Sequence, residues 1–130
     1  MNDKQMFLLF NHKLTDSQKQ DAVNNLNVIK FIYLPDNLQA MWSQVPAELN
    51  TDELETFLQP IKNWLIENHS KDDIALIQGD FGATYKIVKF CNSLNIKAVH
   101  STNQRVAKEI HDGNKVHVSH TFEHVRFRKF

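Results

Sequence analysis

The chain predicts an α/β fold in which a mostly parallel sheet is flanked by helices and carries a C-terminal β-hairpin. Three patterns lead to it. Short apolar runs of strand length alternate with segments of helical period. The runs at Met6–Phe10 and Ile74–Ile77 are apolar throughout, as strands covered on both faces are. The C-terminal stretch alternates apolar and polar residues on either side of Asp112-Gly113, a hairpin-turn dipeptide.

Met6-Phe-Leu-Leu-Phe10 reads as the first strand. Thr15 followed by Gln18 forms a capping-box pattern, and Ala22, Val23 and Leu26 supply the apolar stripe of a helix over Asp16 to Leu26. Val28 to Tyr33 is the second strand, closed by Pro35, and a short helix follows from Asp36 to Ser43. Asn50-Thr-Asp-Glu53 places a cap and two acids before Leu54, Phe57, Leu58, Ile61 and Leu65, which recur at helical spacing. Pro60 inside that pattern predicts a kink or a break. Ile74 to Ile77 is the third strand, Ile87, Val88, Cys91 and Leu94 mark the inner face of another helix, and Ile96 to Ser101 is the fourth strand. Arg105 to His111 and Val116 to Phe122 form the hairpin, and Glu123 to Phe130 one further strand. Right-handed crossovers then give the order 2-1-3-4, with the hairpin near one edge.

With 130 residues, 42% hydrophobic and 23% charged, the chain is expected to be a single soluble domain over residues 1–130, large enough to need no disulfide or metal for stability. The lone Cys91 agrees with a reducing compartment. The apolar run Met6–Phe10 is too short for a membrane span and lacks the flanks of a signal peptide, so a cytoplasmic location without membrane contact is expected. Fifteen basic residues balance 15 acidic ones, which argues against a generic coat for long nucleic acids. The balance hides an asymmetry. Residues 1–80 hold 6 Lys and Arg against 12 Asp and Glu, and residues 81–130 hold 9 against 3, which permits a local anion site or self-association.

In a doubly wound sheet the ligand crevice lies beyond the carboxyl ends of the strands where the winding reverses. Here that brings Asn11-His12-Lys13 near Gln78-Gly79-Asp80-Phe81-Gly82-Ala83-Thr84. The second segment is a strand, a glycine-bearing turn and a helix start, a setting that favours an anion, although the same glycines would serve a turn that only reverses the chain. It is neither the dinucleotide fingerprint nor a Walker loop, and Asp80-Phe81-Gly82 resembles a kinase tripeptide by coincidence. His12 can move a proton and Lys13 can stabilise a phosphoryl oxygen, a pair suited to phosphodiester cleavage; a solvated loop is the plainer alternative. His117 and His120, three apart on a predicted strand, face opposite sides, and no metal site or cofactor is expected. His100 at the end of the fourth strand is within reach of the crevice, whereas His69, His111 and His124 are assigned to the surface, and Cys91, Trp42 and Trp64 to packing. Ser101, Arg105 and Arg126 join the ligand-binding set if their faces turn toward the crevice.

Four segments together, Phe10-Asn-His-Lys-Leu-Thr15, Phe31-Ile-Tyr-Leu-Pro35, Gln78-Gly-Asp-Phe-Gly-Ala-Thr84 and His124-Val-Arg-Phe-Arg128, resemble the small stand-alone ring nucleases of type III CRISPR systems, the Csx-named group. The resemblance spans nearly the whole chain. It implies a Rossmann-like fold, a homodimer, and a cyclic oligoadenylate substrate, above all cyclic tetra-adenylate, whose destruction switches antiviral signalling off. It also implies a metal-independent phosphodiesterase in which a ribose 2′-hydroxyl attacks the adjacent phosphate and leaves a 2′,3′-cyclic phosphate. On this reading His12 is general acid or base and Lys13 the charge stabiliser. Asn11 and Gln78 to Thr84 bind phosphate and adenine, with Asp80 on a ribose hydroxyl, an adenine amino group or Lys13 itself. Two rival readings are a non-cleaving cyclic-oligonucleotide module, sponge or sensor, and a regulatory subunit that docks on a larger partner.

Overall fold

The computed structural model describes residues 3–130. The elements in order are β1 (Lys4–Leu9), α1 (Asp16–Leu26), β2 (Val28–Tyr33), α2 (Asp36–Ser43), α3 (Thr51–Phe57), α4 (Gln59–Asn68), β3 (Ile74–Ile77), α5 (Phe81–Ser93), β4 (Lys97–Asp112) and β5 (Lys115–Lys129). They build a mixed α/β fold on one five-stranded sheet of order β2-β1-β3-β4-β5. The first four strands are parallel, and β5 runs antiparallel to β4. No helix among the described residues is long and apolar enough to cross a membrane.

The apolar runs are explained by burial on both sheet faces. Phe7, Leu9, Ala75, Ile77 and Ala98 point to one side, where α2 to α5 contribute Trp42, Leu58, Ile61, Leu65, Ile87 and Cys91. Met6, Leu8, Ile74, Leu76, Val99 and Phe127 point to the other, beneath α1 with Ala22 and Leu14. Successive residues of a strand alternate faces, so a strand covered twice must be apolar at every position.

The caps act where the sequence placed them. Thr15 Oγ1 accepts from the Gln18 amide, and the Gln18 side chain accepts from the Thr15 amide. Asn50 and Glu53 make the same reciprocal pair. At Pro60 the expected long helix breaks into α3 and α4 around Leu58, because a proline offers no amide to the preceding turn and is tolerated at a helix start.

The C-terminal third departs from expectation. The fourth strand and first hairpin arm are one continuous strand, as are the return arm and the closing segment, because the β4–β5 ladder runs from Val99↔Lys129 to Asp112↔Lys115. The turn residues are Gly113 and Asn114, and Gly113 takes φ +61°, so it is glycine at the first central position that closes the hairpin. A bulge between Thr102 and Asn103 pairs Thr102 with Arg126 but Asn103 with His124. Val125 is thus an extra residue, and the face that each side chain takes switches there.

Candidate functional site

The rim at the carboxyl ends of the strands is stitched by Gln78. Leu9 and Ile77 are register partners; just beyond them the Gln78 amide donates to the Leu9 carbonyl at 3.0 Å. The Gln78 side chain reaches the other way, its Oε1 accepting from the Ser101 amide at 2.7 Å. The ends of β1, β3 and β4 are therefore held together, and Gln78 acts as a structural clasp.

The loop after β1 rises from this rim as a ridge between two clefts, with Asn11, His12 and Lys13 exposed. A cleft of about 450 Å³ lies between His12, Lys13 and the start of α1 on one side and Asn103, Phe122 and His124 on the other. A second of about 590 Å³ lies between the same His12 and Lys13 and the β2–α2 segment, with Tyr33, Asp36, Gln39 and Ser43. The ridge is pinned to α2: Gln39 Nε2 donates to the Phe10 carbonyl at 3.1 Å, and Ser43 Oγ donates to Asn11 Oδ1 at 3.0 Å. The His12 ring stands edge-on to Phe10 at 5.4 Å. Asn11 thus anchors the loop through the very oxygen a ligand would need, while His12 and Lys13 keep free side chains above both clefts.

The Gln78–Thr84 segment is built differently from the phosphate cradle that its glycines suggest. A Cβ on Gly79 would lie 2.9 Å from the Trp42 indole, whose Nε1 donates to the Gln78 carbonyl at 3.1 Å. A Cβ on Gly82 would meet Leu54 at 3.0 Å. Both glycines make room for the core rather than for a ligand. Asp80 caps α5: its Oδ2 accepts from the Ala83 amide at 3.0 Å, so the helix start carries its own carboxylate where an anion would sit. Ala83 is buried, and its side chain offers a ligand nothing. Neither Gly79 nor any of the five residues after it lines the clefts beside His12 and Lys13. Two side chains of this segment stand apart. Phe81 is 95% exposed, and Thr84 Oγ1 is the buried side-chain polar atom that lacks a partner among the described residues.

The bulge at Val125 brings His124 inward, which corrects its assignment to the surface. Its Nε2 lies 2.7 Å from Asp21 Oδ2, and its Nδ1 lies 2.6 Å from Ser101 Oγ, with the His124 side chain only 4% exposed. Gln18 Nε2 also donates to Ser101 Oγ at 3.4 Å. Burial pushes the Asp21 carboxyl up, but hydrogen bonds from Asn25 and His124, the charge of His124 and the Phe127 amide outweigh it, leaving the group below the usual carboxylate range. Ser101 is accordingly buried in a relay beneath the first cleft, not presented to a ligand. Arg105 stands exposed on the hairpin opposite Phe122, and Arg126 lines a separate hollow with Asp21, Asn25 and Phe127, away from His12. The His100 and Phe130 rings lie 4.8 Å apart, tilted at 49°.

Several residues around the site carried no signal of their own. Asp21, Asn103 and Phe122 depend on the register of β5 against β4 and on the bulge. Gln39 and Ser43 are four apart on one helix, a spacing that shows they share a face but not which loop they meet.

The comparisons with known proteins give a family. The family model described as Uncharacterized protein MJ1673 family matches residues 4–128. The chain is 48% identical over 125 residues to "Uncharacterized protein MJ1673" of Methanocaldococcus jannaschii, which covers 96% of this chain and 95% of that protein. No solved structure matches the chain. The shared segment takes in β1 to β4, β5 as far as Arg128, and every residue that bounds the two clefts, and the chain belongs to the Uncharacterized protein MJ1673 family.

Proposed function

We propose that this chain is a ring nuclease. It binds a cyclic oligoadenylate, foremost cyclic tetra-adenylate, and cleaves it to linear products bearing a 2′,3′-cyclic phosphate, which ends type III CRISPR antiviral signalling. A Rossmann-like ancestry, a cytoplasmic setting and action as a homodimer belong to the same proposal. The reading starts from the resemblance of the four sequence segments. The observation that carries it furthest is the ridge of His12 and Lys13, whose side chains stand free between two clefts at the strand ends.

The chemistry is compatible with those residues. The 2′-oxygen forms a bond to phosphorus as the bond to the 5′-oxygen breaks; His12 takes the 2′ proton or supplies one to the departing 5′-oxygen. The Lys13 ammonium meets the charge that builds on the phosphoryl oxygens. Positioning and charge stabilisation are the main needs of such a step, and the reading calls for no cofactor.

The test is incubation of the protein with cyclic tetra-adenylate in EDTA, followed by chromatography against authentic linear standards. Ring opening to the 2′,3′-cyclic phosphate, lost in Lys13→Ala and His12→Ala, is the expected result. An intact ring with measurable affinity assigns the chain instead to the non-cleaving binding modules. Wild-type rates in both variants overturn the roles given to His12 and Lys13.

A further inference from the structure

Beyond the point where β3 stops pairing with β4 at Val99, the last two strands continue as a free two-stranded ribbon. From Asn103 to Asp112 it extends roughly 30 Å, taking about 3.3 Å per residue. A lone ribbon of two strands is at best marginally stable in water. Its two faces differ. Cross-strand partners share a face, so Asn103, Arg105, Ala107, Glu109 and His111 on β4 lie with His124, Phe122, His120, Val118 and Val116 on β5. That face carries an apolar row, Val116, Val118 and Phe122, exposed by 53, 56 and 74%. The opposite face is mostly polar: Val106 and Ile110 stand there among Gln104, Lys108, Asp112, Lys115, His117, Ser119, Thr121 and Glu123.

The accessible surface points the same way. A compact monomer of 15.2 kDa exposes about 7,100 Å². This chain exposes 8485 Å², an excess of roughly 1,400 Å². A standard interface takes about 800 Å² from each partner. The ribbon is sized for a partner.

We propose that the occupant of this face is a second copy of the chain, with the two ribbons packed face to face and antiparallel. The charges identify it. Arg105 and Glu109 are the only Lys, Arg, Asp or Glu on the face, one of each sign, two positions either side of Ala107. A two-fold axis between the ribbons, perpendicular to their strands at the Ala107–His120 pair, sets Arg105 of each copy over Glu109 of the other. The same operation lays Phe122 over Val118, with the small Ala107 at the crossing. The titratable group brought to the axis is His120, with His111 toward the ends, while His124 stays turned inward against Asp21 and Ser101.

The geometry has a consequence for the cleft beside His12. The ribbon tip lies about as far from Ala107 as Thr102 and Asn103 do, so the tip of each copy reaches over the base of the other. That base holds Asn103, Phe122 and His124, one wall of the cleft. Each cleft is then closed in trans. The proposal rests on the homodimer of the proposed function and gives it an interface, but it does not depend on the chemistry assigned to His12 and Lys13.

The test is sedimentation of the full chain at micromolar concentration, with circular dichroism as the folding control. A mass of about 30 kDa, twice that of the chain, is expected, and Phe122→Asp or Val118→Lys is expected to give folded monomers, at least 100-fold weaker in self-association. Arg105→Glu and Glu109→Arg should each weaken the dimer, and their combination should restore it. Cysteines introduced by Asn103→Cys and His111→Cys stand too far apart to bridge within one ribbon, at about 26 Å for eight residues. They are expected to form a covalent dimer on oxidation. A folded wild-type monomer at 100 μM, or a dimer indifferent to Phe122→Asp and Val118→Lys, overturns the proposal. A dimer broken by those changes but insensitive to the charge variants and unable to cross-link overturns the antiparallel arrangement.

Discussion

Ser101 Oγ and His124 Nδ1 lie 2.6 Å apart although the residues are 23 positions apart in the chain. Asp21 holds the other ring nitrogen from α1, so one imidazole joins β4, β5 and the helix. With Nε2–H donated to the carboxylate, the neutral ring accepts the Ser101 hydroxyl at Nδ1, and the protonated ring donates at both nitrogens. The relay fixes the base of the hairpin to the body and thereby sets one wall of the first cleft.

His124→Ala is expected to leave Asp21 and Ser101 without their shared partner in a nearly dry setting. A loss of about 1–3 kcal/mol is expected, measured by urea denaturation. Asp21→Asn should cost a similar amount. The pH dependence follows from the lowered Asp21 carboxyl. The ionised form is favoured in the folded chain, so its contribution is present above the ordinary value of 3.8 and is lost as pH falls through the lower folded value. Comparing wild type with Asp21→Asn between pH 6 and pH 2 should show the difference shrink on the acid side.

Lys13→Ala is expected to lower the rate of ring opening by about 10²–10³-fold, the usual effect of removing one charge-stabilising donor. His12→Ala should lower it by about 10²–10⁴-fold. Both residues are exposed, so the melting temperature should stay near that of the wild type. A parallel fall in melting temperature would mean that the loop, not the chemistry, was disturbed.

Gly79→Ala tests whether that glycine serves the core or a ligand. The added carbon would stand 2.9 Å from the Trp42 ring, and an overpacked site of this kind costs about 1–3 kcal/mol. Thermal denaturation should show the loss in the absence of any nucleotide. A variant as stable as the wild type that fails only in ligand binding would restore Gly79 to the binding surface.

Cys91 is fully buried, and burial pushes its thiol up to about 12. The reactive thiolate is therefore scarce in the folded chain at neutral pH. Labelling by a thiol reagent at pH 8 should be slow in buffer and rapid in denaturing urea. Fast labelling of the native protein would show that α5 opens readily from the sheet.

Much of the architecture is local in origin, and local signals are legible in a sequence. Thr15 with Gln18, Asn50 with Glu53, and Pro60 mark helix ends through contacts within a few residues of themselves, and the runs at Met6 and Ile74 declare double-sided burial by their lack of alternation. The site was legible only as a place. That His12 and Lys13 crown the strand ends follows from winding rules, but the duties of Gly79, Asp80 and Ala83 do not. The same residue types cradle an anion or pack against a neighbour according to whether something like Trp42 already fills the space.

By itself the sequence determined the elements from β1 to α5, the parallel core of the sheet and the shared rim of the β1 and β3 ends, because periodicity, capping and crossover handedness depend on near neighbours along the chain. Tertiary structure alone decided that β4 and β5 run on as one ribbon, that a bulge at Val125 turns His124 inward to Asp21 and Ser101, and that Asp80 occupies its own helix start. Those outcomes rest on register and on the space left by distant side chains, and neither quantity is encoded in any short stretch of residues.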